Sequence, residues 1–196
     1  MGEIKTAAEI AREKLAQIGE PTEEERLKWK YGPVGEKLAA VYLKESVNLV
    51  NELQKYDEKA RQVIVAGVNN ILLRNISLPR NDATRRIDKK AMDGIKSLKN
   101  DQVAVENVFS KIRQVFDHYT QEGAKQKKQA YESLKAEFEA KLQEAVRKQT
   151  GVDAKLNIDV EQQPQFQDEW QRMQAQLEGQ YLNLLEEYKK ELASIK

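Results

Sequence analysis

Two long runs of helix-patterned sequence fill most of the C-terminal half, at about residues 102–148 and 164–195, and they confine the fold more than any other feature. In the first run Val105, Val108, Ile112, Val115 and Tyr119 alternate spacings of three and four, the seam of a coiled coil. Apolar positions then vanish from Gln121 to Gln129 and resume out of phase at Tyr131, Leu134, Phe138, Leu142 and Ala145. Either the second half faces a different partner or Gly123 marks a bend. One internal glycine costs only about 1 kcal/mol, so a single continuous helix is the expectation. The second run sets Phe166, Trp170, Met173, Leu177, Tyr181, Leu184 and Tyr188 on one face. Together the runs predict an all-α protein with a long antiparallel helical hairpin.

Between the runs, Gly151 suits a helix stop, and Lys155 to Glu161 alternates apolar and polar residues like a strand. A lone strand has no partner in such a chain, so at most one short strand, near 155–160, is expected. Upstream, Ile4, Ala8, Ala11, Leu15 and Ile18 predict a helix over 6–18. Thr22 and Glu25 offer a capping box for a short helix carrying Leu27 and Trp29. Gly32-Pro33 then reads as a restart, with Pro33 at a first helical position and Val34, Leu38, Val41, Leu49, Leu53 and Tyr56 on one face. Asp57 caps a further helix whose Val63 to Val68 is apolar all round. It is the expected centre of the core, with Ile64, Val68, Ile71 and Leu72 buried. Asn81 or Asp82 starts a polar helix with a narrow stripe of Ile87, Ala91, Ile95 and Leu98. This divides the chain into an N-terminal helical arm (1–31), a helical core (32–120) and a hairpin with an extended connector (121–196).

Chemical inventory is sparse. The chain has no cysteine and one histidine, His118, so thiolate nucleophiles, thiolate metal sites and multi-histidine centres are excluded. A ferritin-type centre needs Glu-x-x-His on two helices, whereas residue 115 is valine. His118 therefore reads as a surface histidine, and no catalytic, cofactor or metal residue is assigned. Gly32-Pro33-Val34-Gly35-Glu36-Lys37 superficially suggests a phosphate loop, but Glu36 interrupts the Gly-Lys pair and Leu38 stands where Ser or Thr is required. Asp153, Asn157, Asp159 and Glu161 lack the spacing of a calcium loop.

With 33 basic and 32 acidic residues the net charge is +1, so no global field steers the chain toward nucleic acid. The local exception is 80–101, where Arg80, Arg85, Arg86, Lys89, Lys90, Lys96 and Lys99 face only four acids. It is the candidate phosphate or nucleic-acid contact, and nucleic acid remains an alternative partner, not the favoured one. The most apolar stretch, Val63 to Leu73, is far shorter than the ~20 residues of a membrane span. The opening residues carry no apolar signal region, so no membrane and a cytoplasmic address are expected.

The opening Met1-Gly2-Glu3-Ile4-Lys5-Thr6-Ala7-Ala8-Glu9-Ile10-Ala11-Arg12-Glu13-Lys14 resembles the start of an uncharacterised family of small helical bacterial proteins. Ile158-Asp159-Val160 followed by Pro164, Phe166, Gln167, Glu169-Trp170 and Tyr181 is similar to the end of the same group. The resemblance covers about the first 30 and the last 45 residues. It implies a bacterial protein of unknown function and transfers no functional residue.

The functional expectation is a non-enzymatic scaffold or protein–protein interaction module without a cofactor. Self-association as a homodimer is expected through Tyr131, Leu134, Phe138, Trp170, Leu177, Tyr181, Leu182 and Leu185. Carboxylate and lysine acid–base catalysis ranks last.

Overall fold

The computed structural model describes residue 6 and residues 21–45, 47–150 and 159–195. Among them the protein is all-α, without a strand. The chain divides into two compact units, residues 1–72 and 73–196. The predicted helix over 6–18, apart from Thr6, and the strand-like stretch up to Ile158 lie outside the described residues. Val160 to Gln162 form a 3-10 turn capped by Asp159.

In the first unit α1 spans Glu23–Lys44 and begins with the expected capping box: the Glu25 N–H donates to Thr22 Oγ1 at 3.2 Å, and the Thr22 N–H donates to Glu25 Oε2 at 2.8 Å. It does not restart at Gly32-Pro33. The helix runs through with Pro33 inside it, and ends at Glu45, so the expected continuation to Tyr56 is replaced by a separate short helix, α2 (Leu49–Leu53), capped by Asn48. The reason is a helix crossing that no local signal announces. A Cβ on Gly35 would stand 2.4 Å from the Ile64 carbonyl oxygen and 3.1 Å from Gly67 Cα. The glycines allow the backbones of α1 and α3 (Glu58–Asn75) to touch, and that close packing holds α1 helical despite the ~3 kcal/mol an interior proline costs.

Asp57 caps α3 as expected, its Oδ1 accepting the Ala60 N–H at 2.9 Å. Ile64, Val68 and Leu72 are fully buried with Ala60. Ile71 is only half-buried, because burial follows the 60–64–68–72 stripe and leaves Ile71 a quarter-turn off it.

The second unit contains α4 (Asp82–Leu98), α5 (Gln102–His118), a π-helical segment (Tyr119–Gly123), α6 (Ala124–Thr150) and α7 (Pro164–Ser194). Asn81 and Asp101 cap α4 and α5, each accepting the N–H of the third residue on at 2.9 Å. On α4 the buried face is Asp88, Ala91, Met92 and Ile95, and Ile87 is 40% exposed. The stripe is therefore displaced from the expected one by a residue at its start.

The long helix is continuous through Gly123, as the expectation had it, and the π segment explains the lost phase. Positions 115, 119, 123, 127 and 131 all face inward in steps of four, more than an α-helix's 3.6 residues per turn permits over that length. A π turn takes up the surplus. The second half therefore keeps the same partner: α7 packs along both α5 and α6. Its contacts run antiparallel, from Lys111–Glu191 through His118–Tyr181 and Tyr119–Glu178 to Tyr131–Trp170 and Phe138–Phe166. The hairpin is thus longer than predicted and reaches back over α5.

Candidate functional site: the groove beside the π segment

Where α7 crosses the π segment, polar groups enter an otherwise apolar seam. Glu178 lies on the inner side of α7 with its side chain only 12% exposed. Its carboxylate accepts from Tyr119 Oη at 2.8 Å and from the Arg80 guanidinium at 2.5 Å, and Lys127 Nζ stands 3.9 Å away. A buried carboxylate needs such partners to stay charged. Burial, then the Glu178 carboxylate, pushes the Tyr119 hydroxyl above the usual phenol range. The hydrogen bond to Glu178 likewise holds Arg80 above the usual guanidinium value. One turn along, His118 Nδ1 and Tyr181 Oη are 2.9 Å apart. Gly123 lies below that tyrosine, its absent Cβ only 3.2 Å from Tyr181 Oη, so the π segment and α7 approach closely there.

Beside this crossing runs an open groove of about 890 Å³. Its apolar floor comes from Val115 and Ala130 on the long helix and from Met173, Leu177, Tyr181 and Leu184 on α7. Its rim is Gln114, Gln126, Gln176 and Gln180, with His118 and Lys111 at one end. Lys111 is already held by Glu191 at 3.0 Å, so the rim carries little net charge. Leu184 (37%) and Leu182 (40%), on either side of the buried Leu185, are exposed.

Most of the residues expected to form an interaction surface are used inside the hairpin instead. Leu134 and Leu185 are buried. Tyr131 meets Phe166 and Trp170 edge-on at 5.6 and 5.0 Å between centroids, and Phe138 meets Phe166 at 5.4 Å. Gln174, with its amide oxygen turned toward them, accepts from Trp170 Nε1 at 3.2 Å and Lys127 Nζ at 2.9 Å. Leu177 and Tyr181 line the groove, and Leu182 is exposed. The sequence pattern sets Leu184 on the face of Tyr181 and Tyr188, yet Leu185 is the buried leucine, because an interface over 31 residues drifts across the helix surface.

The basic cluster is not one free face. Arg80 is bound to Glu178, Lys96 to Glu106 at 2.8 Å, and Lys99 to the Ile195 carbonyl. Arg85, Arg86 and Lys89 remain at the surface of α4, with Lys90 half-buried among them. The Gly32 to Lys37 stretch lies within α1. Asp159 caps its 3-10 turn and Glu161 pairs with Lys135 at 2.5 Å, while Asp153 and Asn157 lie outside the described residues. Among the described residues no cluster of three or more His, Cys, Asp or Glu is placed to hold a metal ion, and no helix is long and apolar enough to cross a membrane.

Glu178 was missed by sequence reasoning. Its only signal is an acid set between Leu177 and Tyr181 on the inward stripe of α7. Neither a curated protein nor a solved structure matches the chain. A family model described as a family of unknown function (DUF6657) matches residues 50–194, which includes the C-terminal resemblance but not the opening one, and the chain belongs to that family.

Proposed function

We propose that this member of the DUF6657 family is a non-enzymatic helical scaffold that self-associates, with the groove beside α7 receiving α7 of a second copy. One observation carries the reading: the side of the groove that α7 supplies is a continuous apolar stripe. Met173, Leu177, Tyr181, Leu184 and Tyr188 recur at three and four residues over about 22 Å of helix, enough for a helix-in-groove contact. A two-fold axis would lay the α7 stripe of each copy along that of the other. The glutamine rim favours a like copy over a charged partner. Uncharged amides brought against their own equivalents donate and accept without repulsion, whereas a charged rim would repel itself.

Leu184→Asp tests the reading, because Leu184 is exposed and its replacement leaves the hairpin's interior alone. Sedimentation equilibrium of the wild-type chain at micromolar concentration should give a dimer, and the variant a monomer with unchanged helical circular dichroism. Equal masses for the two would overturn it.

A further inference from the structure

A second groove, about 400 Å³, lies between α4 and α5 on residues that the proposed association does not use. Its α4 wall is Arg85, Asp88, Lys89, Met92 and Asp93, and its α5 wall is Arg113, Phe116, Asp117 and Thr120. The spacings of three and four on each helix bring these side chains to one seam. The volume is near the lower end for small-molecule sites.

Asp88 lies in that seam and is 2% exposed. Its Oδ1 accepts the Ser77 N–H at 2.9 Å, but its Oδ2 is buried with no hydrogen-bond partner. An unsatisfied buried carboxylate oxygen costs on the order of 1–3 kcal/mol or more, and such groups mark places where a donor is missing. Around it stand charges of both signs that do not pair: Arg85, Lys89, Asp93 and Asp117 make no ion pair among the described residues. Arg113 is held by Glu106 at 2.5 Å. In a pair of packed helices such neighbours ordinarily bond to each other; here they border an open space.

The charge pattern narrows the ligand. A polyanion such as a nucleotide would meet three carboxylates, Asp88, Asp93 and Asp117. A polyamine would meet Arg85, Lys89 and Arg113. A molecule carrying one charge of each sign satisfies both sets, and Met92 and Phe116 offer an apolar wall to its body. We propose that the α4–α5 groove binds a small zwitterion of the free amino acid class, its ammonium on Asp88 and its acid group on Arg85 and Lys89.

The test uses the full chain and amide NMR, with L-leucine, L-glutamate and L-lysine at millimolar concentration and their N-acetyl derivatives as partners lacking the ammonium. At least one free amino acid should shift the amides of residues 85–93 and 113–120, and its acetylated form should not. The double variant Arg85→Ala, Lys89→Ala changes only exposed side chains and should weaken that binding on the order of tenfold, as loss of a charge-assisted hydrogen bond does. Asp88→Asn should weaken it as well; should that variant fail to fold, the double variant still decides. No shift from any of the three, an equal shift from the acetylated form, or an unchanged affinity in the double variant would each overturn the proposal.

Discussion

His118 Nδ1 and Tyr181 Oη lie 2.9 Å apart, and this contact joins the last α turn of α5 to α7 where the long helix passes into its π segment. His118 is exposed, so the bond competes with water and adds little. His118→Ala should therefore shift unfolding by less than about 1 kcal/mol in urea titration. A loss of several kcal/mol would mean that the histidine, rather than the apolar seam, sets the hairpin's register.

Gly35 and Gly179 form a matched pair. Both lie inside helices, but a Cβ at Gly35 meets the Ile64 carbonyl at 2.4 Å, while one at Gly179 meets nothing within 4 Å. Gly179→Ala should stabilise the chain by up to about 1 kcal/mol through helix propensity alone. Gly35→Ala gains the same propensity but must push two backbones apart, so it should destabilise, by roughly 1–3 kcal/mol. Thermal unfolding of the two variants should move in opposite directions.

Much of this architecture was legible along the chain. Thr22, Asp57, Asn81 and Asp101 announce helix starts by the chemistry of their own side chains, a signal that stays within one turn. The seam from Val105 to Val115 and the aromatic face of α7 are periodic patterns long enough to outweigh local noise. What failed depends on partners distant in sequence. Pro33 reads as a helix start until Gly67 is brought against Gly35. Asp88 reads as part of a polar face until the Ser77 N–H is brought to its carboxylate, and Arg80 reads as a free cation until Glu178 arrives from 98 residues away. The loss of phase after Tyr119 was visible, but its resolution by a π turn was not, because the choice among bend, new partner and π segment is made by α7.

Asp88 should leave a signature in stability against pH. Burial raises its carboxyl from 3.8 to about 6 in the folded chain, opposed by the Ser77 N–H and by Lys189 on α7. Arg85, Lys89 and Asp93 on its own helix and Arg113 and Asp117 on α5 line the same groove. Between those two values the folded chain holds a proton that the unfolded chain has released. This contribution is thus fully present below pH 3.8 and is lost as the pH rises through about 6, opposing the usual gain from the other carboxylates. Asp88→Asn retains an acceptor for Ser77 and abolishes the effect. Unfolding free energies from urea titration across that window should rise with pH more steeply in the variant than in the wild type, by about 2–3 kcal/mol in total. Parallel curves would show that Asp88 titrates as an ordinary carboxylate.

The mass of the chain in solution tests the central claim most directly. Static light scattering at micromolar concentration should give twice the 22.6 kDa of one chain, with the glutamine-rimmed groove beside α7 closed between two copies. A mass of 22.6 kDa that holds as the concentration is raised would contradict the account and leave that groove open on a monomer.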